Sequence, residues 1–156
     1  MSAPPAVTWR CDPFAELSLR ELYELLALRQ RVFVVEQRCA FQDADGLDEP
    51  AWHLQGRGLE GALLAYARLL GPGVKYREAS VGRVITAPEA RGTGLGRELM
   101  RQAVARVEAV WGPGPIRIGA QAHLQRFYGE QGFVAEGALY DEDGIPHVEM
   151  VRPGRG

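Results

Sequence analysis

Val81-Gly-Arg-Val-Ile-Thr-Ala-Pro-Glu-Ala-Arg-Gly-Thr-Gly-Leu-Gly96 joins an apolar run to a glycine-rich loop near the middle of a 156-residue chain. Val81 to Thr86 has strand character and stops at Pro88, which cannot donate to a ladder. Arg91-Gly92-Thr93-Gly94-Leu95-Gly96 then opens a helical pattern that lasts to Trp111. Alternate glycines let successive N–H groups turn into one concavity without interference from Cβ, and the helix N-terminus adds partial positive charge. Strand, amide cradle and helix, in that order, make a site for a pyrophosphate.

The spacing separates this loop from two relatives. A Walker A loop ends in Gly-Lys-Ser/Thr, where lysine and hydroxyl reach phosphate and Mg²⁺, but here Gly96 precedes Arg97-Glu98. A dinucleotide fingerprint reads G-x-G-x-x-G and needs an acidic residue at the end of the next strand. This loop reads G-x-G-x-G, and the following strand, Ile116 to Ala120, ends without an acid.

Working outward, the predicted order is strand, helices, three strands, helix, strand, helix, two strands. Val7 to Arg10 is a short strand. Ser18-Leu-Arg-Glu21 is a capping box that starts a helix at Leu19. Leu22, Tyr23, Leu25, Leu26 and Phe33 form its apolar stripe, which continues through a second, turn-linked helix to Glu36. A polar loop spans Gln37 to Pro50. Trp52–Gln55 and Ala62–Leu70, separated by glycine-rich 56–61, read as a hairpin. Leu95, Leu99, Ala103 and Val107 recur every four residues, giving an amphipathic helix closed by Gly112-Pro113. Ile116–Ala120 is a strand, His123–Gln131 a helix stopped at Gly132, and 133–135 and 147–151 are the last strands.

Composition sets bounds on what such a chain does. With 46% hydrophobic and 24% charged residues, the expectation is one domain over 1–156 with a single core. A net charge of −2 gives no basic field for nucleic acid or an anionic membrane surface. No apolar run approaches the roughly 18 residues of a membrane helix. Met1 to Arg10 lacks a charged segment followed by an apolar core, so a cytoplasmic location is expected. Cys11, Cys39 and the scattered His53, His123 and His147 have no metal-ligand spacing. Asp43-Ala-Asp-Gly46 is not a calcium loop either, because Phe41 and Trp52 would occupy its first and twelfth positions.

The sequence resembles the GNAT family of acyl-CoA N-acyltransferases, and within it the ElaA-like branch, over nearly its whole length. Arg91–Gly96 matches the family's R/Q-x-x-G-x-G/A loop, Val84-Ile-Thr86 the preceding strand, and Phe127-Tyr-Gly-Glu-Gln-Gly-Phe133 its F-Y-x-x-x-G-F segment. The ElaA-like stretches are Leu28–Gln37, Gln42–Gly46, Gly119–Gln125 and Asp143–Met150. The resemblance implies an α/β (α+β) fold: a mixed, mostly antiparallel twisted sheet flanked by helices, with parallel strands splayed at the coenzyme site.

It also implies acetyl-CoA as the acyl-donor cosubstrate, no metal, and direct attack by a small-molecule or peptide amine. The pantetheine arm would pair with the backbone of Val84, Ile85 and Thr86 as an added strand. The amides of Gly92, Thr93, Gly94, Leu95 and Gly96 would take the pyrophosphate, with Arg91 and Arg97 adding charge. Gln121, His123, Phe127 and Tyr128 complete the coenzyme set. Ile85 N–H is the expected oxyanion donor and Tyr128 the expected proton donor to the departing thiolate.

For the base, Glu36, Asp45, His53, His147 and Glu149 are all candidates. His147 and Glu149 stand out because strand alternation puts them on one face. Arg29, Phe33, Glu36 and Asp45 are expected at the acceptor, and the acidic loop around Asp43, Asp45 and Asp48 suits a cationic amine. The same segment is similar to acyl-homoserine-lactone synthases, which share the fold, so an acyltransferase of that kind is an alternative. A non-catalytic acyl-CoA-binding module is another. The expected assembly is a monomer or homodimer.

Overall fold

A computed structural model describes residues 3–155; Met1, Ser2 and Gly156, the ends of the expected domain, lie outside the described residues. Seven strands form one twisted sheet: β1 Thr8–Pro13, β2 Trp52–Arg57, β3 Leu63–Leu70, β4 Ala79–Thr86, β5 Ile116–Gln121, β6 Val134–Glu142 and β7 Ile145–Arg152. Their order across the sheet is β1-β2-β3-β4-β5-β7-β6. All neighbours are antiparallel except β4 and β5. The fold is therefore the mixed, mostly antiparallel α/β sheet with one parallel pair that the family resemblance implied.

Helices cover both faces. Successive residues of β3 point to opposite sides: Ala65, Ala67 and Leu69 join the cluster under α2, Leu95–Trp111, whereas Tyr66 joins the cluster under α1, Leu19–Arg29. The buried stripe of α2 is Leu95, Leu99, Met100, Ala103, Val104 and Val107, the periodic set plus its neighbours. Ser18 caps α1 as the sequence indicates: its Oγ accepts from Glu21 N–H at 3.0 Å while its own N–H donates to the Glu21 carboxylate at 2.9 Å.

Three elements differ from expectation. The second helix after α1 is a seven-residue π-helix, Gln30–Glu36, continuous with α1, in which Gln37 N–H reaches back to Val32 C=O at 3.1 Å. Phe33 of this segment packs against the cluster of Leu25, Val32, Tyr66 and Ile85. The helix expected from His123 to Gln131 divides into a 3₁₀ turn, Ala122–Leu124, and a short α3, Gln125–Gly129. The last two strands are longer than expected and form a hairpin about Asp143 and Gly144, both at positive φ, as an Asp-Gly turn of this type requires. Every residue of β6 is exposed and its register shifts between Glu136 and Tyr140, so it carries no apolar alternation.

Candidate active site

The site begins where the sheet comes apart. β4 and β5 pair only at Ala79↔Ile116 and Ser80↔Arg117, and beyond Ser80 they diverge. On its other side β4 stays joined to β3, but the register shifts between Tyr66 and Arg68, where Arg83 and Val84 face one residue, Ala67. Arg83 holds φ +50° in this bulge.

The pairing fixes which backbone groups reach the gap. Ala87 N–H donates to Leu64 C=O at 2.8 Å, and Tyr66 lies opposite Ile85. Alternation then turns both polar groups of Ile85 toward β3. A trans peptide directs its N–H and C=O oppositely, so Val84 C=O and both groups of Thr86 face the gap. This corrects the expectation for Ile85: its N–H belongs to the β3 ladder, and its side chain is buried against Tyr66 and α1. The open edge belongs to Val84 and Thr86.

That edge leads into the glycine loop. Gly92 and Gly94 hold φ +75° and +87°, and Gly94 is the left-handed cap of α2. Thr93 Oγ1 donates to Ala90 C=O at 2.7 Å and receives a long bond from Leu95 N–H at 3.3 Å, bracing the turn. Gly96 is tight for a different reason. A Cβ there would stand 3.4 Å from Thr86 Oγ1 and 3.6 Å from the Phe127 ring, filling the concavity between loop and strand. The cradle therefore fits a phosphate group, and bare backbone is what keeps it open. Arg91 lies beside it, held by Glu36 through two bonds of 3.0 and 2.6 Å, and Arg97 pairs with Glu130 at 3.3 Å. Hydrogen bonding from Arg91 lowers the Glu36 pKa, which makes this carboxylate a weaker base than an unpaired one.

From this loop a cleft of about 670 Å³ runs along the fork. Phe33, Glu36, Asp45, Val84, Ile85, Thr86, Arg91, Gly96, Gln121, His123, Phe127, Tyr128 and His147 all contribute to its walls. Tyr128 is buried, edge-on to both Phe127 and Phe133, and burial pushes its phenol up to about 12. Gln121 reaches Gln37 across the cleft at 3.4 Å. His147 Nδ1 donates to Ile145 C=O at 2.7 Å, which leaves Nε2 as the basic nitrogen, 3.3 Å from the Glu142 carboxylate. Glu149 shares the face of His147 without sharing its surroundings. Arg117 binds it at 2.8 Å, within a group that includes Glu78 and Glu136, outside the cleft lining.

The Acetyltransferase (GNAT) domain family matches residues 55–152 of this chain, from the start of the sheet's centre to its last strand. The chain belongs to the GNAT family. A UPF0039 protein of Synechocystis is 44% identical over 93% of this chain and 94% of its own length. The crystal structure of Escherichia coli ElaA is 40% identical, covers 94% of this chain and 99% of that one, and superposes with a TM-score of 0.88. An acyl-CoA N-acyltransferase from Pseudomonas aeruginosa is 46% identical over 94% of this chain and 99% of that one, with a TM-score of 0.89. Use of an acyl-CoA follows from this membership. No helix among the described residues is long and apolar enough to cross a membrane.

Where Asp45, Arg68 and Arg83 line this cleft, the acidic loop is neutralised internally. Arg29, fully buried, donates from Nε to Asp43 at 2.8 Å and from Nη1 to Asp48 at 2.7 Å. Arg68 grips Asp45 at 2.8 and 2.9 Å and Asp48 at 3.0 Å, and Arg83 reaches Asp43 at 2.7 Å. Burial opposes the charge on Asp45, yet hydrogen bonds from Arg68 and Leu47 N–H hold its carboxyl well below the usual range. Two expectations are thereby corrected. Arg29 is a clamp beneath the loop and not a contact for the acceptor, and Asp43, Asp45 and Asp48 are each paired with arginine rather than left to a cationic amine. His53 lies under the same loop, its Nε2–H donating to Asp48 C=O at 2.9 Å and its Nδ1 accepting from Tyr66 at 2.7 Å, so it is no base for the reaction.

Sequence reasoning missed Arg68, Arg83, Glu142 and Lys75, all of which line the cleft. The only signal for Glu142 was the Asp143-Gly144 turn, which fixes it opposite Ile145 and near His147. Arg68 carried a signal too: a charge inside an apolar strand run, Leu63–Leu70, marks a buried partner.

Proposed function

We propose that the chain is a single-domain N-acetyltransferase that moves the acetyl group of acetyl-CoA to an amine in a ternary complex. The fork carries this reading. An edge formed by Val84 and Thr86 leads, through the 3₁₀ turn Pro88–Ala90, to the Gly92–Gly96 cradle, an order that suits an amide-bearing arm followed by a pyrophosphate. In this reading Val84 N–H, at the bulge beside Ile85, is the donor to the developing oxyanion in place of Ile85. One such donor contributes about 10²–10³-fold in related chemistry.

Tyr128 supplies the proton that the thiolate takes as the C–S bond breaks. A phenol raised to about 12 is fully protonated at neutral pH and is available to a thiolate formed beside it. His147 accepts the proton lost by the amine at Nε2, which stands 3.3 Å from the Glu142 carboxylate. Phe33 and Asp45 border the acceptor. The acceptor is a small molecule or peptide carrying a neutral amine, without nucleic acid or membrane, and the cytoplasm is the expected location.

Calorimetry with acetyl-CoA in excess chelator, followed by thiol release with a panel of amines, tests the reading. Micromolar binding and amine-dependent release are expected. Binding without release for any amine would leave an acyl-CoA-binding module, and no binding would remove the fork from consideration.

A further inference from the structure

The connection between β3 and β4 carries Lys75, the single lysine in the sequence. A tight turn, with Gly73 N–H donating to Tyr76 C=O at 2.7 Å, presents it at the cleft rim. Its Nζ stands over the Tyr76 ring, 5.5 Å from the centroid, and its side chain lines the same cleft as Ser80, Val84 and Tyr128. Glu142 and Asp45 act on it through charge alone, without a hydrogen bond. Every other basic residue of the chain, the histidines aside, is an arginine, which does not lose its proton and is no nucleophile.

We infer that Lys75 is itself an acyl acceptor, so that the chain acylates its own Nζ from acyl-CoA bound in the fork. This rests on the acyltransferase reading above. The step is balanced without a further reactant. The neutral Nζ attacks the thioester carbonyl, the C–N bond forms as the C–S bond breaks, Nζ loses one proton, and the departing thiolate gains one. The products are Nε-acyl-Lys75 and free coenzyme A. Lys75 is exposed at the rim, and partial desolvation lowers its pKa from the ordinary lysine value; Glu142 and Asp45 oppose the shift, whereas Arg68 and Arg83 add to it. Acylation would remove the cation from the rim, between Glu142 and the Arg68–Arg83 pair, and would leave a neutral amide over the cleft mouth.

The test incubates the full chain with acetyl-CoA and follows intact mass and peptide maps. The expected result is one acetyl group at Lys75, with a rate constant unchanged over an about tenfold range of protein concentration, as an intramolecular step requires. A thioether analogue of acetyl-CoA, which has no transferable acyl group, should suppress labelling, and Lys75→Arg should abolish it. An unlabelled Lys75 on a chain shown by calorimetry to bind acetyl-CoA would overturn the inference. So would labelling that survives saturating analogue, or a rate that rises in proportion to protein concentration. Thiol release with external amines separates the two readings. Transfer to an added amine with Lys75 untouched sinks this inference alone, and absence of acetyl-CoA binding sinks both.

Discussion

Tyr128 and Arg29 are both buried, and the partner each one has decides its role. The Tyr128 hydroxyl forms no hydrogen bond to another described residue, while its ring packs between Phe127 and Phe133. Tyr128→Phe should therefore preserve acetyl-CoA affinity and lower the single-turnover rate by about 10²–10⁴-fold. An unchanged rate with a verified amine would return Tyr128 to packing and leave water as the acid. Because burial raises its pKa, loss of activity through its ionisation should appear only as pH approaches about 12. Arg29 instead satisfies Asp43 and Asp48 in a site closed to solvent. Arg29→Ala should cost about 3–5 kcal/mol in chemical denaturation, since two buried carboxylates each lose one of their two arginine partners. The folded-state pKa values of Asp45 and Asp48 lie below the ordinary 3.8, so their contribution is complete at neutral pH and fades as pH falls through that value. Stability that is flat through that acid range would show the cluster to be unimportant. Reading the sequence, Arg29 and the three aspartates were visible as a group, but opposite charges far apart in sequence look identical whether they meet one another or a ligand. Only burial separates the two.

The glycine loop was the most legible element, because its work is done by backbone geometry and glycine records that geometry in the sequence. Gly94 at φ +87° cannot be replaced by a β-branched residue without strain. Gly94→Val should therefore abolish acetyl-CoA binding while leaving a folded chain, as judged by calorimetry beside circular dichroism. Normal affinity in a folded variant would detach the cradle from the coenzyme. Gly96→Val should act similarly through space rather than through φ, by meeting Thr86 and Phe127. The amphipathic α2 and the capping box of α1 were equally readable, each carrying a periodic or local signal. The π-helix and β6 were not. A π-turn shares its apolar spacing with the α-helix it continues, and an edge strand whose nine residues are all exposed offers no alternation to detect.

Across the whole molecule, the order of elements was readable, whereas the splay of β4 from β5 and the direction of each backbone amide were not. Those depend on a register shift that no side-chain pattern announces, and the assignment of Ile85 failed there. The shift has a consequence of its own. A sheet resembles a zipper, and Arg83 is one tooth too many on β4 against β3; only Ala79 and Ser80 mesh on both sides, and from Val81 onward β4 meshes with β3 alone. Deleting Arg83 would equalise the rows, let β4 run straight against β3, and carry its upper half back toward β5. Arg83→Gly is the companion variant, since it keeps the extra tooth, tolerates φ +50° and loses the same ion pairs to Asp43 and Asp45. Calorimetry should find acetyl-CoA bound by Arg83→Gly and not by the deletion. Equal affinity in both would mean that the gap is held open from elsewhere. On this view the coenzyme fills a vacancy made by a counting mismatch of one residue, and a chain one residue shorter would mend its own sheet and turn its donor away.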